Sequence, residues 1–139
     1  MAKKSEDEII EWEGIKGKRH PNGGGFVALT AKVEKTVYIE KTAAVYGDAR
    51  VYGNAWVSGN ARVYGDARVY GDARVYGNAW VYGNARVYGD AMVYGSAWVC
   101  GKTKVTHKIC IDARIDSDKK LEKFLEWRKK LDEILGERR

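Results

Sequence analysis

The sequence predicts an all-β, single-domain protein in which short strands follow one another as the chain winds into a coil. Three observations lead to this fold class. A six-residue unit, Ala-x-Val-Tyr-Gly-Asp or Asn, repeats without a break over residues 43–101. An aliphatic residue recurs every six positions from Val27 to Ile111, which makes fifteen equally spaced positions. A fixed short period of this kind is typical of architectures that stack one small structural unit on the next.

Each unit combines a short extended segment with a sharp corner, as residues 67–72 show. Side chains alternate between the two faces of an extended segment, so Ala67 and Val69 point one way and their neighbours the other. Gly71 and Asp72 suit the corner, because Gly accepts a positive φ and Asp bonds to nearby backbone groups. We therefore expect a four-residue strand and a two-residue corner in every unit.

Two architectures can use this unit: an antiparallel meander, and a coil whose corners all bend the same way. In the meander, Tyr70 lies opposite Ala73 across the turn, so the small aliphatic residues change faces at every strand. No face of the sheet is then uniformly apolar, although a buried apolar face is what fixes strand register. In the coil, every repeat Ala and Val points inward, and every Arg, Trp and Tyr points outward. The coil is therefore the predicted architecture.

The spacing of these Ala and Val residues resembles that of the hexapeptide-repeat family, over residues 26–116. The resemblance implies a left-handed parallel β-helix, a triangular prism with three units per turn and about five turns. The family includes acyltransferases and γ-class carbonic anhydrases, and its members are usually homotrimers. Near-perfect repetition without an inserted loop makes the chain most similar to uncharacterised bacterial and phage members of the family.

The segment before the coil, residues 1–25, is predicted to cap its first turn. Residues 5–8 have the pattern of a capping box and apolar residues follow, so a short helix is expected near residues 6–13. Residues 14–25 are basic and rich in Gly, and they are interpreted as a connector. Such a loop could also hold an anion on its backbone amides, but its spacing matches no phosphate-binding loop.

After the coil, residues 117–139 are predicted to form one amphipathic helix. Ser117 is a suitable N-cap, and Gly136 is expected to end the helix. Apolar residues recur at helical spacing on one face and include Leu121, Phe124 and Leu125. The helix either covers the end or side of the coil or packs on a neighbouring subunit, and the sequence leaves both alternatives open.

The composition is that of a single domain with a moderate excess of positive charge. The 139 residues carry a formal net charge of +6, and most of the excess lies in residues 102–139. This excess is too dispersed to indicate a nucleic-acid-binding protein. The sequence has no apolar run long enough to span a membrane and no secretory signal, so a cytoplasmic location is expected. Cys100 and Cys110 fall at different strand positions, which argues against a disulfide bond.

Residues eighteen positions apart stack on the same face of a coil with three units per turn. One face then carries the cationic column, defined as Lys32, Arg50, Arg68, Arg86 and Lys104. Beside it runs the Tyr52 ladder, defined as Tyr52, Tyr70 and Tyr88. The equivalent column of the second face is Tyr38, Trp56, Arg74, Met92 and Cys110, and that of the third is Ala44, Arg62, Trp80, Trp98 and Asp116.

The cationic column needs compensation, because like charges about 4.8 Å apart repel by roughly 1 kcal/mol in water. Acidic corner residues offset part of this repulsion, and tyrosine rings stack with guanidinium groups. One interpretation is a solvated face beside a trimer interface. The other is that the column and the Tyr52 ladder bind a compact anion, such as a nucleotide held between subunits. Phosphates of a nucleic-acid strand do not repeat at the column's spacing, which argues against a nucleic-acid partner.

The aromatic residues of the third face form a large apolar surface around Trp80 and Trp98. Such patches usually mark an interface. We therefore expect the protein to associate with itself, and the resemblance implies a homotrimer. Trp80 and Trp98 are the expected interface residues, together with the helix residues Leu121, Phe124 and Leu125.

The resemblance also implies two enzymatic alternatives. The first is acyl transfer from acetyl-CoA or another acyl-CoA, with a His between subunits as the general base. His107 is the candidate, because the neighbouring Lys104 and Lys108 favour a neutral imidazole. The second is a γ-class carbonic anhydrase zinc site with three His ligands, but the chain contains only His20 and His107. The leading prediction is a scaffold or binding module without cofactor or metal, and an acyltransferase is the alternative.

Overall fold

The computed structural model describes residues 8–106, 110–111, 114–115 and 117–137. Its first strands are β1 (Ile10–Trp12), β2 (Ile15–Arg19) and β3 (Phe26–Ala28). Two-residue strands follow: β4 (Lys32–Val33), β5 (Tyr38–Ile39), β6 (Ala44–Val45), β7 (Arg50–Val51), β8 (Trp56–Val57), β9 (Arg62–Val63), β10 (Arg68–Val69), β11 (Arg74–Val75), β12 (Trp80–Val81), β13 (Arg86–Val87), β14 (Met92–Val93), β15 (Trp98–Val99), β16 (Lys104–Val105), β17 (Cys110–Ile111) and β18 (Arg114–Ile115). The last element is the helix α1 (Asp118–Glu137).

The two-residue strands pair in parallel, and every third strand belongs to the same sheet. One five-stranded sheet contains β4, β7, β10, β13 and β16, and the other contains β5, β8, β11, β14 and β17. An eight-stranded sheet has the order β1-β2-β3-β6-β9-β12-β15-β18. Arg68 pairs with Arg50 on one side and with Arg86 on the other, so paired residues are 18 positions apart. The chain is therefore a β-solenoid of about four turns, and the predicted coil is confirmed over the meander.

The interior of the solenoid is filled by the Ala and Val residues of the repeat. Ala67 and Val69 are completely buried, as are the equivalent residues of every unit from Ala49 to Val99. They belong to one continuous core cluster. Upstream of the obvious repeat, Val27 pairs with Val45, so the extended register is also confirmed. The apolar period thus predicts both the core and the strand register.

The corners between strands depend on glycine. The repeat Gly residues from Gly47 to Gly101 have φ between 63° and 73°, a conformation that L side chains rarely adopt. Adjacent corners also stack closely, because a Cβ atom on Gly71 would lie 3.0 Å from the backbone nitrogen of Gly89. The next residue, Asp72, donates its backbone N–H to the Gly89 carbonyl at 2.9 Å. Conformation and spacing both therefore favour Gly at this position.

The predicted N-terminal helix is absent from the described residues, and this prediction was wrong. In its place β1 and β2 form an antiparallel hairpin that pairs with β3 and extends the eight-stranded sheet. The hairpin turns at Glu13 and Gly14, which both have positive φ. Residues 6 and 7 of the predicted helix lie outside the described residues. The hairpin is favoured because it satisfies hydrogen-bonding groups at the edge of β3, which a helix would leave unpaired.

The segment interpreted as a connector is also more ordered than predicted, because residues 15–19 form β2. His20 follows this strand and is only 6% exposed. Its Nε2 donates a hydrogen bond to the Val37 carbonyl at 2.6 Å. Burial lowers the pKa of His20, and the hydrogen bond to Val37 partly opposes that shift. The imidazole therefore fastens the N-terminal hairpin to the first turn of the solenoid.

The first turn bonds to the second turn through polar side chains in place of Gly-Asp corners. The Thr36 hydroxyl donates to the Gly53 carbonyl at 2.6 Å, and Thr30 and Thr42 make the equivalent bonds to the next turn. The Glu34 carboxylate accepts a hydrogen bond from the backbone N–H of Gly53 at 2.9 Å. These contacts satisfy the backbone groups of the second turn's corners and tie the two turns together.

Helix α1 covers the C-terminal end of the solenoid. Ser117 caps its N-terminus as predicted, because the Oγ atom accepts a hydrogen bond from the Lys120 backbone N–H at 3.3 Å. The Asp118 carboxylate accepts a hydrogen bond from the Lys104 backbone N–H at 2.9 Å, which ties the helix to the edge strand β16. Leu121 is buried and belongs to the solenoid core cluster. In the described part of the chain, no helix combines the length and apolar character that a membrane span requires.

Two details of the C-terminal segment differ from the prediction. Trp98 pairs with Arg114, only 16 positions away, so the column expected to end at Asp116 ends at Arg114 instead. The reason is that the last unit is two residues short, because β17 and β18 begin four positions apart rather than six. Helix α1 also continues through Gly136 to Glu137 instead of ending at Gly136.

Candidate functional site

The cationic column lies on the outer face of the sheet that contains β4, β7, β10, β13 and β16. The strand register places its members next to one another in the order Lys32, Arg50, Arg68, Arg86 and Lys104. Each cation occupies the first position of its strand, and the second position is a Val of the apolar series. Neighbouring cations are therefore one strand spacing, about 4.8 Å, apart along the column.

A groove with a volume of about 490 Å³ runs along this column. It is lined by four of the five cations and by the corner residues that precede them, namely Thr30, Lys32, Asp48, Arg50, Asp66, Arg68, Asn84 and Arg86. Asp48 and Asp66 line the same groove, at the corners where acidic compensation was expected. The corner residues beside Lys32 and Arg86 are the uncharged Thr30 and Asn84. The two ends of the groove therefore lack an acidic corner residue.

The Tyr52 ladder flanks the column on its other side. The ring centroids of Tyr52 and Tyr70 lie 4.8 Å apart, with 2° between the ring planes. Tyr70 and Tyr88 lie 4.9 Å apart, with 3° between the planes. Because the rings stack face to face, the faces between neighbouring rings are covered. Inside the ladder, only ring edges and hydroxyl groups are open to a ligand.

The pKa of Tyr70 is affected both by the neighbouring tyrosines of the ladder and by the arginines of the cationic column. Burial raises the pKa of Tyr70, and its neighbours Tyr52 and Tyr88 raise it further, whereas Arg86 and Arg68 lower it. The guanidinium groups therefore lie close enough to the ladder to act on its hydroxyl groups. The column and the ladder form one site, with positive charge on one side and aromatic hydroxyl groups on the other.

A second cavity, of about 450 Å³, lies between the column and the ladder near the N-terminal end of the sheet. It is lined by Lys32, Val33, Glu34, Arg50, Val51, Tyr52 and Arg68. Glu34 occupies the ladder position that precedes Tyr52, 18 residues earlier, because the strands β4 and β7 pair in that register. Sequence reasoning missed Glu34 as a site residue. The signal that could have found it is a carboxylate at the tyrosine position of its unit.

The eight-stranded sheet carries a different outer surface, the aromatic patch. Trp80 and Trp98 stack with their ring centroids 5.3 Å apart and 9° between the ring planes. A second tyrosine ladder runs beside them with spacings of 4.8 and 5.0 Å, formed by Tyr46, Tyr64 and Tyr82. Trp12, from the N-terminal hairpin, lies 5.5 Å from the Tyr46 ring. Trp12 was missed as a patch residue because the sequence analysis placed it in a helix.

Arg62 lies within the aromatic patch, between two tryptophan rings. Its guanidinium carbon is 5.1 Å from the ring centroid of Trp12 and 5.4 Å from that of Trp80. Such cation–π contacts contribute about 0.5–1 kcal/mol each at exposed sites. Burial raises the pKa of Tyr64 to about 12, with smaller contributions from its tyrosine neighbours, and Arg62 lowers it. Arg62 is therefore already engaged with the protein's own aromatic rings.

The second face, on the sheet of β5, β8, β11, β14 and β17, carries a mixed row. The register matches the predicted order Tyr38, Trp56, Arg74, Met92 and Cys110. Arg74 lies over the Trp56 ring, 5.6 Å from its centroid, and Trp56 is 48% exposed. This face offers a lone arginine in the same repeat position as Arg68 but outside the groove.

The remaining predicted site residues belong to the C-terminal part of the chain. Leu121, Phe124 and Leu125 pack against the core of their own solenoid, as the first of the two alternatives for the helix requires. Their contribution to a subunit interface stays a prediction. His107 lies outside the described residues, so its role as a general base and the acyltransferase alternative also stay predictions.

The described residues bring together no group of three or more His, Cys, Asp or Glu side chains suited to a metal ion. Cys100 is a buried free thiol. It lies 18 residues after Tyr82 and therefore takes the next position in the second tyrosine ladder, after Tyr46, Tyr64 and Tyr82.

Comparison with known protein families agrees with the observed fold. A family model described as the YdcK beta solenoid repeat matches residues 43–59, 55–71, 67–83 and 85–101. These segments contain Arg50, Arg68 and Arg86 of the cationic column and the whole Tyr52 ladder. No curated protein and no solved structure matches the chain. The match supports a protein of the repeat β-solenoid kind and leaves the resemblance to hexapeptide acyltransferases and carbonic anhydrases untested.

Proposed function

We propose that the protein is a β-solenoid binding module whose cationic groove takes a compact anion, such as a nucleotide. The observation that carries this proposal is the groove of about 490 Å³, in which Lys32, Arg50, Arg68 and Arg86 lie side by side. Guanidinium groups bind phosphate and carboxylate oxygens through paired hydrogen bonds. The Tyr52 ladder along the other edge of the column adds hydroxyl groups that can donate to the same oxygens.

A bound anion would also relieve the repulsion within the column. Adjacent cations about 4.8 Å apart repel by roughly 1 kcal/mol in water, before salt screening. Asp48 and Asp66 compensate this repulsion only beside Arg50 and Arg68. An anion that bridges two guanidinium groups replaces repulsion with attraction. The formal net charge of +6 further favours encounters with anionic ligands.

The spacing of the column favours a compact ligand over a nucleic-acid strand. Phosphates advance by about 3.4 Å per strand along a duplex, whereas the cations advance by about 4.8 Å per turn. A long polyanion would therefore lose register with the column after a few contacts. A ligand with one or a few neighbouring anionic groups can place each group between two cations without this mismatch.

We infer that the module is a cytoplasmic homotrimer wound in the left-handed sense, with the triangular section of the hexapeptide-repeat family. Three sheets and an 18-residue turn support the triangular section. The stacked rings of the aromatic patch support self-association, because large apolar surfaces usually mark interfaces. In such an assembly the anion would lie beside a subunit boundary. A crystal structure tests the winding sense, and solution mass measurement tests the stoichiometry.

Isothermal titration with nucleoside mono- and diphosphates, at low and at moderate salt, tests the proposed function. We expect binding that weakens as salt rises, because the contacts are charged and only partly buried. Arg68→Ala removes the central cation of the groove and should weaken binding at least tenfold, since charge-assisted hydrogen bonds are worth about 1.5–3 kcal/mol.

Arg74→Ala is the matched control, because Arg74 has the same repeat position one strand later but lies outside the groove. It should leave affinity within about twofold of the wild type, a difference of under 0.5 kcal/mol. The absence of heat with every anion, or equal losses in the two variants, would contradict the proposal.

A further inference from the structure

The Tyr52 ladder ends on both sides without a further ring. Its members are separated by 18 residues, so the two ladder positions that lack an aromatic ring are residues 34 and 106. Glu34 occupies the first and Thr106 the second. The stacked rings cover one another's inner faces, with centroids 4.8 and 4.9 Å apart. The outward faces of Tyr52 and Tyr88 are therefore the places where a planar ligand can continue the stack.

The cavity of about 450 Å³ lies at the Tyr52 end of the ladder. Lys32, Arg50 and Arg68 line it together with Tyr52, so positive charge and an aromatic ring face the same space. Glu34 lines its remaining side, where its carboxylate accepts a hydrogen bond from the Gly53 backbone N–H at 2.9 Å. This hydrogen bond holds one carboxylate in a cavity that is otherwise lined by cations and apolar groups.

These lining groups select a ligand with three chemical properties. An aromatic ring is needed to stack on Tyr52, because stacking is tolerant of ring type but requires a π face. An anionic group is needed to bridge the neighbouring Arg50 and Arg68. A hydrogen-bond donor on the ring is needed beside Glu34, since an ionised carboxylate only accepts hydrogen bonds. Nucleobases with an exocyclic amine, carried on a phosphorylated sugar, have all three.

We propose that this cavity binds the base of a nucleotide, which stacks on the outward face of Tyr52 beside Glu34 while its phosphate contacts Arg50 and Arg68. The amine of the base donates to Glu34. This inference rests on the anion-binding function proposed above and narrows it to one end of the groove and one ligand class. It differs from anion binding alone because it requires the aromatic ring as well as the charge.

Titration with three probes separates ring from charge: adenosine monophosphate, ribose 5-phosphate and adenosine. We expect adenosine monophosphate to bind at least about tenfold more tightly than ribose 5-phosphate, which lacks the base. Adenosine should also bind more weakly than adenosine monophosphate, because it lacks the phosphate. Equal affinities for adenosine monophosphate and ribose 5-phosphate would overturn this inference and leave the anion-binding function standing. Failure of both phosphorylated probes to bind would overturn both proposals.

Two variants that each add one ring locate the site. Glu34→Tyr adds a ring that would cover the outward face of Tyr52, so it should weaken adenosine monophosphate binding at least about tenfold. Thr106→Tyr adds a ring after Tyr88, at the opposite end, and should change that affinity less than about twofold. Ribose 5-phosphate should bind no more weakly to Glu34→Tyr than to the wild type, because this variant removes a negative charge. The opposite pattern, with loss in Thr106→Tyr alone, would overturn the placement.

A second pair of variants keeps the test valid if Glu34→Tyr does not fold, since it loses the hydrogen bond to Gly53. Tyr52→Leu removes the ring on which the base would stack, and Tyr76→Leu removes a ring that stacks with Tyr94 on a different sheet. Both variants retain apolar volume. Tyr52→Leu should weaken adenosine monophosphate binding at least about tenfold, and Tyr76→Leu less than about twofold. Equal affinities in the two variants would contradict stacking on Tyr52.

Discussion

The cationic groove and the aromatic patch lie on sheets of one solenoid, with the same core and the same corners, yet they present opposite chemistry. Arg68 and Arg62 each stand directly before a buried core Val, in equivalent repeat positions one unit apart. Arg68 lies between Arg50 and Arg86, whereas Arg62 lies between the rings of Trp12 and Trp80. The repeat thus separates two tasks: the Ala, Val and Gly positions determine the coil, and the outer position determines what each face can bind.

The largest expected effect is a loss of stability from changing a glycine corner, since the corners support both surfaces. Gly71→Ala should destabilise the protein by about 2 kcal/mol or more, because a left-handed conformation costs an L residue about 1–2 kcal/mol and the new Cβ crowds the next corner. Chemical denaturation measures the loss. Asp72→Ala, at the exposed neighbouring position, is the control and should cost less than about 0.5 kcal/mol. Similar stabilities for the two variants would show that the corners tolerate side chains.

The second largest effect is a loss of self-association when the aromatic patch is changed. The double variant Trp80→Ala/Trp98→Ala is expected to weaken self-association by about 2 kcal/mol or more, because buried tryptophans dominate interface energetics. Sedimentation over a range of protein concentrations measures the dissociation constant. Trp56→Ala removes a 48% exposed tryptophan from a different sheet and should leave the constant unchanged. A wild-type protein that is monomeric at micromolar concentrations would refute the predicted interface.

Replacing the two arginines in turn sharpens the comparison. Arg62→Ala should lower the free energy of unfolding by about 1 kcal/mol, because it removes cation–π contacts to Trp12 and Trp80. Arg68→Ala should leave stability unchanged or increase it slightly at low salt, because it relieves repulsion from the neighbouring Arg50 and Arg86. Thermal unfolding at low and high salt measures both. A larger loss in Arg68→Ala would mean that the column stabilises the fold.

The smallest effect concerns the tyrosines at alkaline pH. Burial raises the pKa of Tyr64 from 10.0 to about 12, so the folded state favours the neutral hydroxyl. Its contribution to stability should be complete below pH 10 and should be lost as the pH rises through 12. Tyr64→Phe is therefore expected to flatten the decline of stability in that window. Tyr70→Phe should flatten it less, because the rise in the pKa of Tyr70, which Arg86 and Arg68 oppose, is smaller than the rise at Tyr64.

The tyrosine prediction is checked by following tyrosinate absorbance and unfolding over the same pH range. Ionisation of Tyr64 and Tyr70 at the same pH would contradict the smaller rise expected for the pKa of Tyr70.

The regular part of the fold could be predicted from the sequence, because a period of six leaves a single way to bury every Val. The pairing of Lys32 with Arg50 and of Arg86 with Lys104 follows directly from that period. The cationic column and the Tyr52 ladder were predicted for the same reason. In these turns the local conformational preference of each residue agrees with the strand pairing of the whole fold, and such agreement allows the structure to be predicted from the sequence.

The ends could not be predicted in this way, because their structure depends on what the first and last turns leave unpaired. Residues 5–8 favour a helix locally, but the edge of β3 is more completely satisfied by a hairpin. The alternation of Ile10 and Trp12 with polar residues, before the Glu13–Gly14 turn, was the signal for this hairpin. The last unit is two residues shorter than the others, so Trp98 pairs with Arg114 and not with Asp116, as the period had predicted.

The cavity beside Tyr52 was missed for a related reason. A column of side chains can be predicted from equally spaced residues. A cavity depends on where the Tyr52 ladder ends and on which residue occupies the next position. Glu34 replaces a ring and is held by Gly53, and neither fact follows from the period. The irregular positions of a regular protein are therefore the ones that require a structure.

The 18-residue turn also restricts how such a chain can grow or shrink. Insertion of a single unit would leave the interior intact but shift every later side chain to the neighbouring sheet, so arginines would follow tryptophans and both surfaces would be lost. Duplication of three units at once would lengthen the groove by one rung and keep all partners aligned. Length changes in this protein are therefore expected to preserve ligand recognition only in whole turns, although the core would accept any number of units.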